Sequence, residues 1–242
     1  MYTFKSRVRY SEIDATGTLS LGGIINYMQD CSTFQSEDLG VGVEYLKEKQ
    51  RAWLLNSWHI VIHRYPKLAE EIEIGTQAYD FSHMFGYRNF AIKDSKGEFL
   101  VVANSLWIFV DTIHSRPVKI TKEDVEMYGS GDPLPMEDRG RKIPLPKEME
   151  RKYSFFVEPH HIDTNHHVNN GQYIQMARNC IPQQAIISEV RAEYKKQAFL
   201  GDKITLYVGK LGDEYIISLN DDNNKPFAIV SFLVKEEDAR PV

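Results

Sequence analysis

Cysteine is scarce: Cys31 and Cys180 are the only two among 242 residues, too few for a disulfide framework. In a reducing compartment each reads as a small buried apolar side chain. Long apolar runs are missing too. The longest, Phe99 to Ala103 and Leu106 to Val110, fall far below the ~20 residues a membrane-crossing helix needs. Met1 to Tyr10 alternates charge with aromatic residues and lacks the apolar stretch of a secretory signal, so the expected location is cytoplasmic. Basic residues do not dominate either. With 29 Lys and Arg against 34 Asp and Glu, the net charge is -5, which disfavours nucleic acid as a partner because phosphate neutralisation demands a basic face. The 15 Gly and 10 Pro are ordinary globular levels and exclude collagen-like and low-complexity readings.

What the chain does have is an internal repeat. Ile13 to Ile25 aligns without gaps on Ile162 to Ile174, with Ile13, Asp14, Gly22 and Ile25 recurring as Ile162, Asp163, Gly171 and Ile174. The same offset places Cys31 on Cys180. Each match opens a helix. Ile24, Tyr27, Met28, Cys31 and Phe34 mark one helical face, and Tyr173, Met176, Ala177, Cys180 and Ile181 mark the other. Gly40 ends the first helix and Pro182 limits the second. Four strands are predicted after each: Trp53 to Tyr65, Glu71 to Phe81, Phe85 to Asp94 and Glu98 to Asp111, then Glu189 to Ala198, Asp202 to Lys210, Glu214 to Asn220 and Lys225 to Lys235. Asp94 to Gly97 and Asp221 to Asn224 read as matching hairpin turns. Pro66 to Ile72 also pairs with Ala198 to Ile204.

With opening strands at Thr3 to Tyr10 and Lys152 to Glu158, each half reads as strand, helix, then four antiparallel strands. The expected fold is therefore α+β: two tandem units, each an antiparallel sheet wrapped around a long helix, forming a fused pseudo-dimer. Residues 1–130 and 151–242 make the two units. The stretch 131–150 joins them, in a region rich in Pro and Gly from Gly129 to Pro146.

Chemistry is concentrated in the second copy. Four of the eight histidines fall between His160 and His167. Asp163, Asn165 and His167 alternate along what reads as an extended segment, so they point to one side and run into a helix from about Asn170. Backbone N–H groups of Asn169, Asn170 and Gly171 at that helix start favour negative charge, so a carbonyl oxygen held there can become an oxyanion. Asp163 is the natural general base or nucleophile. The first copy holds Asp14, Thr16 and Thr18 at the matching places and lacks the amide and imidazole, which predicts one active site per chain. A plain capping device remains open as a reading of such an Asp- and Asn-rich turn. His160, His161, Asp163, His166 and His167 are numerous enough for a metal, but no His-x3-His helical pair or paired-cysteine element accompanies them. No metal and no other cofactor is expected. His59, His63, His83 and His114 receive no role.

Asp163-x-Asn165-x-His167-x-Asn169-Asn170, followed by Tyr173-Ile174, resembles the active-site motif of the acyl-acyl carrier protein thioesterases of plants and their bacterial relatives. Arg64-Tyr65-Pro66, Ser105 to Ile108 and Glu193-Tyr194-Lys195-Lys196 resemble that family as well. The resemblance implies a tandem hot-dog fold and hydrolysis of fatty acyl thioesters to free fatty acid. The family's catalytic Asp, Asn and His fall on Asp163, Asn165 and His167. Its acyl tunnel lies largely in the N-terminal hot dog, which implies that chain-length choice lives in the first half. The implied partner is an acyl carrier protein bearing a fatty acyl chain. An acyl-CoA thioesterase and a noncatalytic acyl-thioester-binding hot-dog protein are the alternatives, and the reading admits a homodimer without requiring one.

One position departs from the family. Plant members carry a Glu-Cys pair after the Glu-Tyr-Arg-Arg segment, where this chain has Gln197-Ala198. Gln197 can donate and accept hydrogen bonds but takes no proton at neutral pH, which leaves it an auxiliary role. Glu193 shares its strand face, yet four residues along a strand span about 13 Å. A thiol leaving group, with a pKa near ~8.5, needs little help from a general acid. For docking an acidic carrier, the candidate cations are Arg116, Lys119 and Lys122, then Arg139, Arg141, Lys142 and Lys147, then Lys195 with Lys196.

Overall fold

Turn signals and apolar periodicity set up the same order of elements twice. The computed structural model describes residues 1–235. The first half comprises β1 (Tyr2–Arg7), α1 (Leu21–Asp38), α2 (Val43–Glu48), β2 (Arg51–Ile62), β3 (Glu71–Ser82), β4 (Phe85–Asp94), β5 (Phe99–Asp111), β6 (Arg116–Pro117) and α3 (Lys122–Tyr128). The second comprises β7 (Glu150–Phe156), α4 (Asn170–Arg178), β8 (Ile186–Tyr194), β9 (Lys203–Leu211), β10 (Glu214–Asn220) and β11 (Pro226–Lys235). Strand order is β1-β3-β4-β5-β2 in the first half and β8-β11-β10-β9-β7 in the second. The ladders β1–β3, β3–β4, β4–β5, β7–β9, β9–β10, β10–β11 and β8–β11 are all antiparallel. This is the expected α+β class, antiparallel sheet with few helices. Among the described residues no helix is long and apolar enough to cross a membrane.

Two compact units result, one of Met1–Asn56 with Ile60–Arg139, the other of residues 140–235 with Ser57–His59. The intervening stretch is tied down at both ends. Gly131 N–H donates to Ala78 O at 2.9 Å and Leu134 N–H to Asn89 Oδ1 at 2.8 Å, within the first unit. In the second, the Arg191 guanidinium donates to Gly140 O at 3.1 Å and Lys142 O at 2.9 Å.

In the first unit α1 packs on β1 and β3. Ser20 caps it, its Oγ accepting from Gly23 N–H at 3.1 Å, and Gly40 follows the helix at φ +70. Ile24, Ile25, Met28 and Cys31 are fully buried, each large apolar side chain contributing roughly 1.5–3 kcal/mol. Phe34, expected on that face, is instead exposed and packs edge-on against Phe4 at 5.3 Å. Gln35 takes the interior place because β4 offers it Arg88, whose Nη1 donates to Gln35 Oε1 at 2.5 Å and Thr76 Oγ1 at 3.0 Å. Burial holds that guanidinium down at about 10.

In the second unit α4 packs on β10 and β11 and is half as long as α1. It stops at Arg178, so Cys180 and Ile181 lie beyond it rather than on its face. The Arg178 guanidinium turns back to Pro182 O at 3.0 Å and Gln183 O at 2.8 Å, satisfying carbonyls that a longer helix would otherwise bond. The hairpin turns repeat each other. Asp94 Oδ1 accepts from the N–H groups of Lys96 and Glu98, and Asp221 Oδ1 from those of Asn223 and Lys225. Gly97 at φ +83 and Asn224 at φ +57 supply the left-handed residue in each.

Candidate active site

The sequence from Ile162 to Val168 closes into a tight turn, not the extended segment that alternation suggested. Ile162 and Val168 form a bridge. Asp163 N–H donates to His167 O and His166 N–H to Asp163 O, both at 3.0 Å. His166 takes a left-handed backbone at φ +64. The expectation fails because that residue reverses the chain. Asp163 and His167 then meet across the base of the turn, while Thr164, Asn165 and His166 occupy its exposed tip.

Asp163 Oδ1 accepts the Asn165 N–H at 2.8 Å and lies 3.8 Å from His167 Nδ1. The two side chains are 20% and 13% exposed, so the pair is sheltered yet reachable. Asn165 therefore touches the carboxylate through its backbone.

Two further bonds fix the turn. Val168 N–H donates to Ala198 O and Asn169 N–H to His161 O, both at 2.9 Å. Asn169 is the N-cap of α4, its Oδ1 accepting from Gly171 N–H at 2.8 Å. Of the three amides expected to hold an oxyanion, those of Asn169 and Gly171 are thus already donating. The Asn170 N–H has no partner among the described residues, and it sits where the helix concentrates its partial positive charge.

Two tyrosines brace this end of the helix. Tyr194 OH donates to Asn170 O at 2.9 Å, and Tyr173 OH accepts from Ala198 N–H at 3.0 Å. Their rings lie 5.9 Å apart, and burial pushes both hydroxyls far above their ordinary range. Sequence reasoning gave them no role, although both lie inside the motif segments. The signal was a Tyr just after the cap and another before the paired lysines.

Gln197 is exposed and adjoins Ala198, the residue that anchors the turn. Glu193 is engaged elsewhere: buried, it accepts from Ile143 N–H at 3.1 Å and pairs with the Lys195 ammonium. Lys196 pairs with Asp221, its ammonium 4.4 Å from the centre of the Phe227 ring. That third cationic group is therefore already neutralised, whereas Arg116, Lys119 and Lys122 are exposed. The histidine cluster does not converge. The His160 and His161 rings meet at a tilt of 49° with centres 4.0 Å apart, and among the described residues no group of three or more His, Cys, Asp or Glu side chains is placed to hold a metal ion.

A chain of this class, antiparallel sheet on helix with a carboxylate and an imidazole paired on the turn before α4, has matches among known proteins. Residues 1–128 match the family model of the acyl-ACP thioesterase N-terminal domain and residues 146–229 that of the C-terminal domain, ACP being acyl carrier protein. The chain belongs to the acyl-ACP thioesterase family. It is similar to the chloroplastic oleoyl-acyl carrier protein thioesterase 2 of Arabidopsis thaliana, 24% identical over 92% of this chain and 66% of that protein. It is also similar to the chloroplastic palmitoyl-acyl carrier protein thioesterase of Cuphea hookeriana, 23% identical over 78% of this chain. It spans half the length of the Cuphea protein. Among solved structures, an acyl-ACP thioesterase from Bacteroides thetaiotaomicron superposes with a TM-score of 0.87 at 21% identity, over 96% of this chain and 97% of that one. The 12:0-ACP thioesterase from Umbellularia californica gives 0.84 at 18% identity, over 98% of both chains.

Proposed function

We propose that this chain is a tandem hot-dog enzyme that hydrolyses fatty acyl thioesters of acyl carrier protein and releases the free fatty acid. Family membership supports the reading, and the observation that carries it is the Asp163–His167 pair, 3.8 Å apart at the base of a turn that leads into α4. Asp163 activates water or attacks the acyl carbon itself, and His167 holds or passes on the proton. Asn165 orients the carboxylate through its backbone N–H. The Asn170 N–H stabilises the tetrahedral oxygen, with the helix end behind it. The thiolate leaves without a strong general acid, which fits a neutral Gln197 beside the site. Carrier docking falls to Arg116, Lys119 and Lys122 and to the group Arg139, Arg141, Lys142 and Lys147. Chain-length choice belongs to the first half, whose α1 presents the longer apolar face. A cytoplasmic setting is in keeping with two unpaired cysteines.

The test is free-thiol release from acyl carrier protein and acyl-CoA substrates of several chain lengths, with Asp163→Asn as the control. Release that favours the carrier substrates and fails in the variant supports the reading. Preference for acyl-CoA moves the donor, and no release from any acyl thioester overturns the reading.

A further inference from the structure

The Asp163 turn hangs from a short 3-10 turn at Pro159–His161, which the two halves of the chain close with different chemistry. In the first half the 3-10 turn Tyr10–Glu12 is closed by a carboxylate, the Arg9 N–H donating to Glu12 Oε2 at 2.9 Å. At the matching place in the second half the acceptor is an imidazole. The Glu158 N–H donates to His161 Nδ1 at 3.0 Å. The next link is identical in both: Ser20 N–H donates to Glu12 O, and Asn169 N–H to His161 O, each at 2.9 Å. Beside the backbone bond that each turn also has, Glu12 N–H to Arg9 O at 3.1 Å and His161 N–H to Glu158 O at 3.0 Å, a single residue thus adds a side-chain bond across the 3-10 turn and holds the helix cap with its carbonyl.

The two acceptors respond differently to protons. A carboxylate accepts hydrogen bonds at any pH above its own titration, whereas an imidazole nitrogen accepts only while it carries no proton. We infer that His161 is a positioning residue for the Asp163 turn and makes that turn sensitive to pH. Unprotonated Nδ1 holds the Glu158 N–H; a proton taken from solvent turns Nδ1 into a donor facing another donor, and the 3-10 turn with its hold on Asn169 is released.

The groups that bear on this ring are few. The tilted His160 ring lies against it at 4.0 Å between centres, and the Glu158 carboxylate lies 3.4 Å from His160 Nδ1. From β7 the ring meets apolar Phe155 at 5.7 Å, and the start of α4 contributes the Asn169 backbone. Partial burial, then His160, keep His161 below the ordinary imidazole range, with Glu158 acting the other way. A group held down in this way stabilises the fold above ~6.5, the free imidazole value, and that stabilisation is lost as pH falls through the native value.

Read through activity, the inference rests on the thioesterase reading, so the experiment carries a second measurement. kcat/KM for thiol release and the thermal midpoint are followed from pH 5 to 8.5 in the wild type, His161→Asn and His161→Glu. Asn places an amide oxygen where Nδ1 stood, and Glu supplies the carboxylate acceptor of the first half without the Arg9 guanidinium and Tyr27 hydroxyl that accompany it there; neither titrates like imidazole. Both variants are expected to keep activity within about threefold near pH 8, and their acid-side decline to move down by about one pH unit or more, toward the carboxylate range for Glu. The wild-type midpoint is expected to fall relative to His161→Asn as pH drops from 7.5 to 5.5. An acid limb that stays put in both variants overturns the inference. If the wild type releases no thiol at any pH, the functional reading fails on its own and the midpoints decide: a gap that changes with pH upholds the inference, and a constant gap overturns it.

Discussion

The turn at Ile13 to Leu19 and the turn at Ile162 to Val168 share one backbone and differ in what their carboxylates are left to do. In both, the first Asp N–H is bonded across the base, from Asp14 to Thr18 O and from Asp163 to His167 O at 3.0 Å. Both are anchored at matching places, by Leu19 N–H to Pro66 O at 2.7 Å and by Val168 N–H to Ala198 O at 2.9 Å. The side chains diverge. Asp14 Oδ1 accepts from Thr16 N–H at 2.9 Å and Thr16 Oγ1 at 2.6 Å, and Thr16 Oγ1 also meets Thr18 Oγ1 at 2.8 Å. That carboxylate is consumed by its own turn. Asp163 keeps only the backbone half of the arrangement and faces an imidazole instead. With Asn165 and His167 in place of two threonines, the same scaffold leaves the second carboxylate with one backbone N–H and an imidazole 3.8 Å away.

The difference yields paired expectations. The largest effect belongs to the imidazole: His167→Ala should lower kcat by about 10²- to 10⁴-fold, the range for a positioned proton carrier, while Thr18→Ala leaves kcat within about twofold. Steady-state thiol release measures both. Next come the caps. Asn169→Ala and Ser20→Ala should each cost about 1 kcal/mol of stability in denaturant unfolding, but only the first should also depress activity, because the proposed mechanism uses the start of α4 and not that of α1. A smaller effect follows from the left-handed residue at each tip, Gly17 at φ +75 against His166 at φ +64. Since a side chain is strained there by roughly 1–2 kcal/mol, partly offset by the freer unfolded chain of glycine, His166→Gly should stabilise by up to about 1 kcal/mol. Smallest is the effect of surface charge. Reversing Arg116, Lys119 and Lys122 together should raise KM several-fold for an acyl carrier protein substrate at low salt and leave a small acyl thioester unaffected.

Sequence carried the strand framework well because the chain marks its own reversals. Phe85–Asp94 and Glu214–Asn220 were read to the residue, each bounded by an Asx turn whose Asp caps two backbone N–H groups. The repeat itself was legible, since the same backbone bonds demand similar residues. What it missed depended on partners far along the chain. Nothing local tells Phe34 from Gln35; a buried arginine on β4 makes that choice. Nor does apolar spacing announce that Arg178 will fold back and end α4 early. The short helices α2 and α3 went unread, although Thr121 and Asp124 form a capping box whose Thr-x-x-Asp spacing was there to see. At the site, the residues Asp163 and His167 were named together, but alternation was the wrong reason. His166 adopts a backbone that its residue type does not advertise, and the turn it makes brings the pair together.

The most direct measurement sets the two aspartates against each other, with Asp14→Asn and Asp163→Asn assayed for thiol release from acyl carrier protein substrate in single turnover, at matched fold by thermal midpoint. Hydrolysis at the second turn predicts that Asp163→Asn slows release by about a hundredfold or more while Asp14→Asn stays near wild type. Equal rates for Asp163→Asn and the wild type, or equal losses at both aspartates, contradict it.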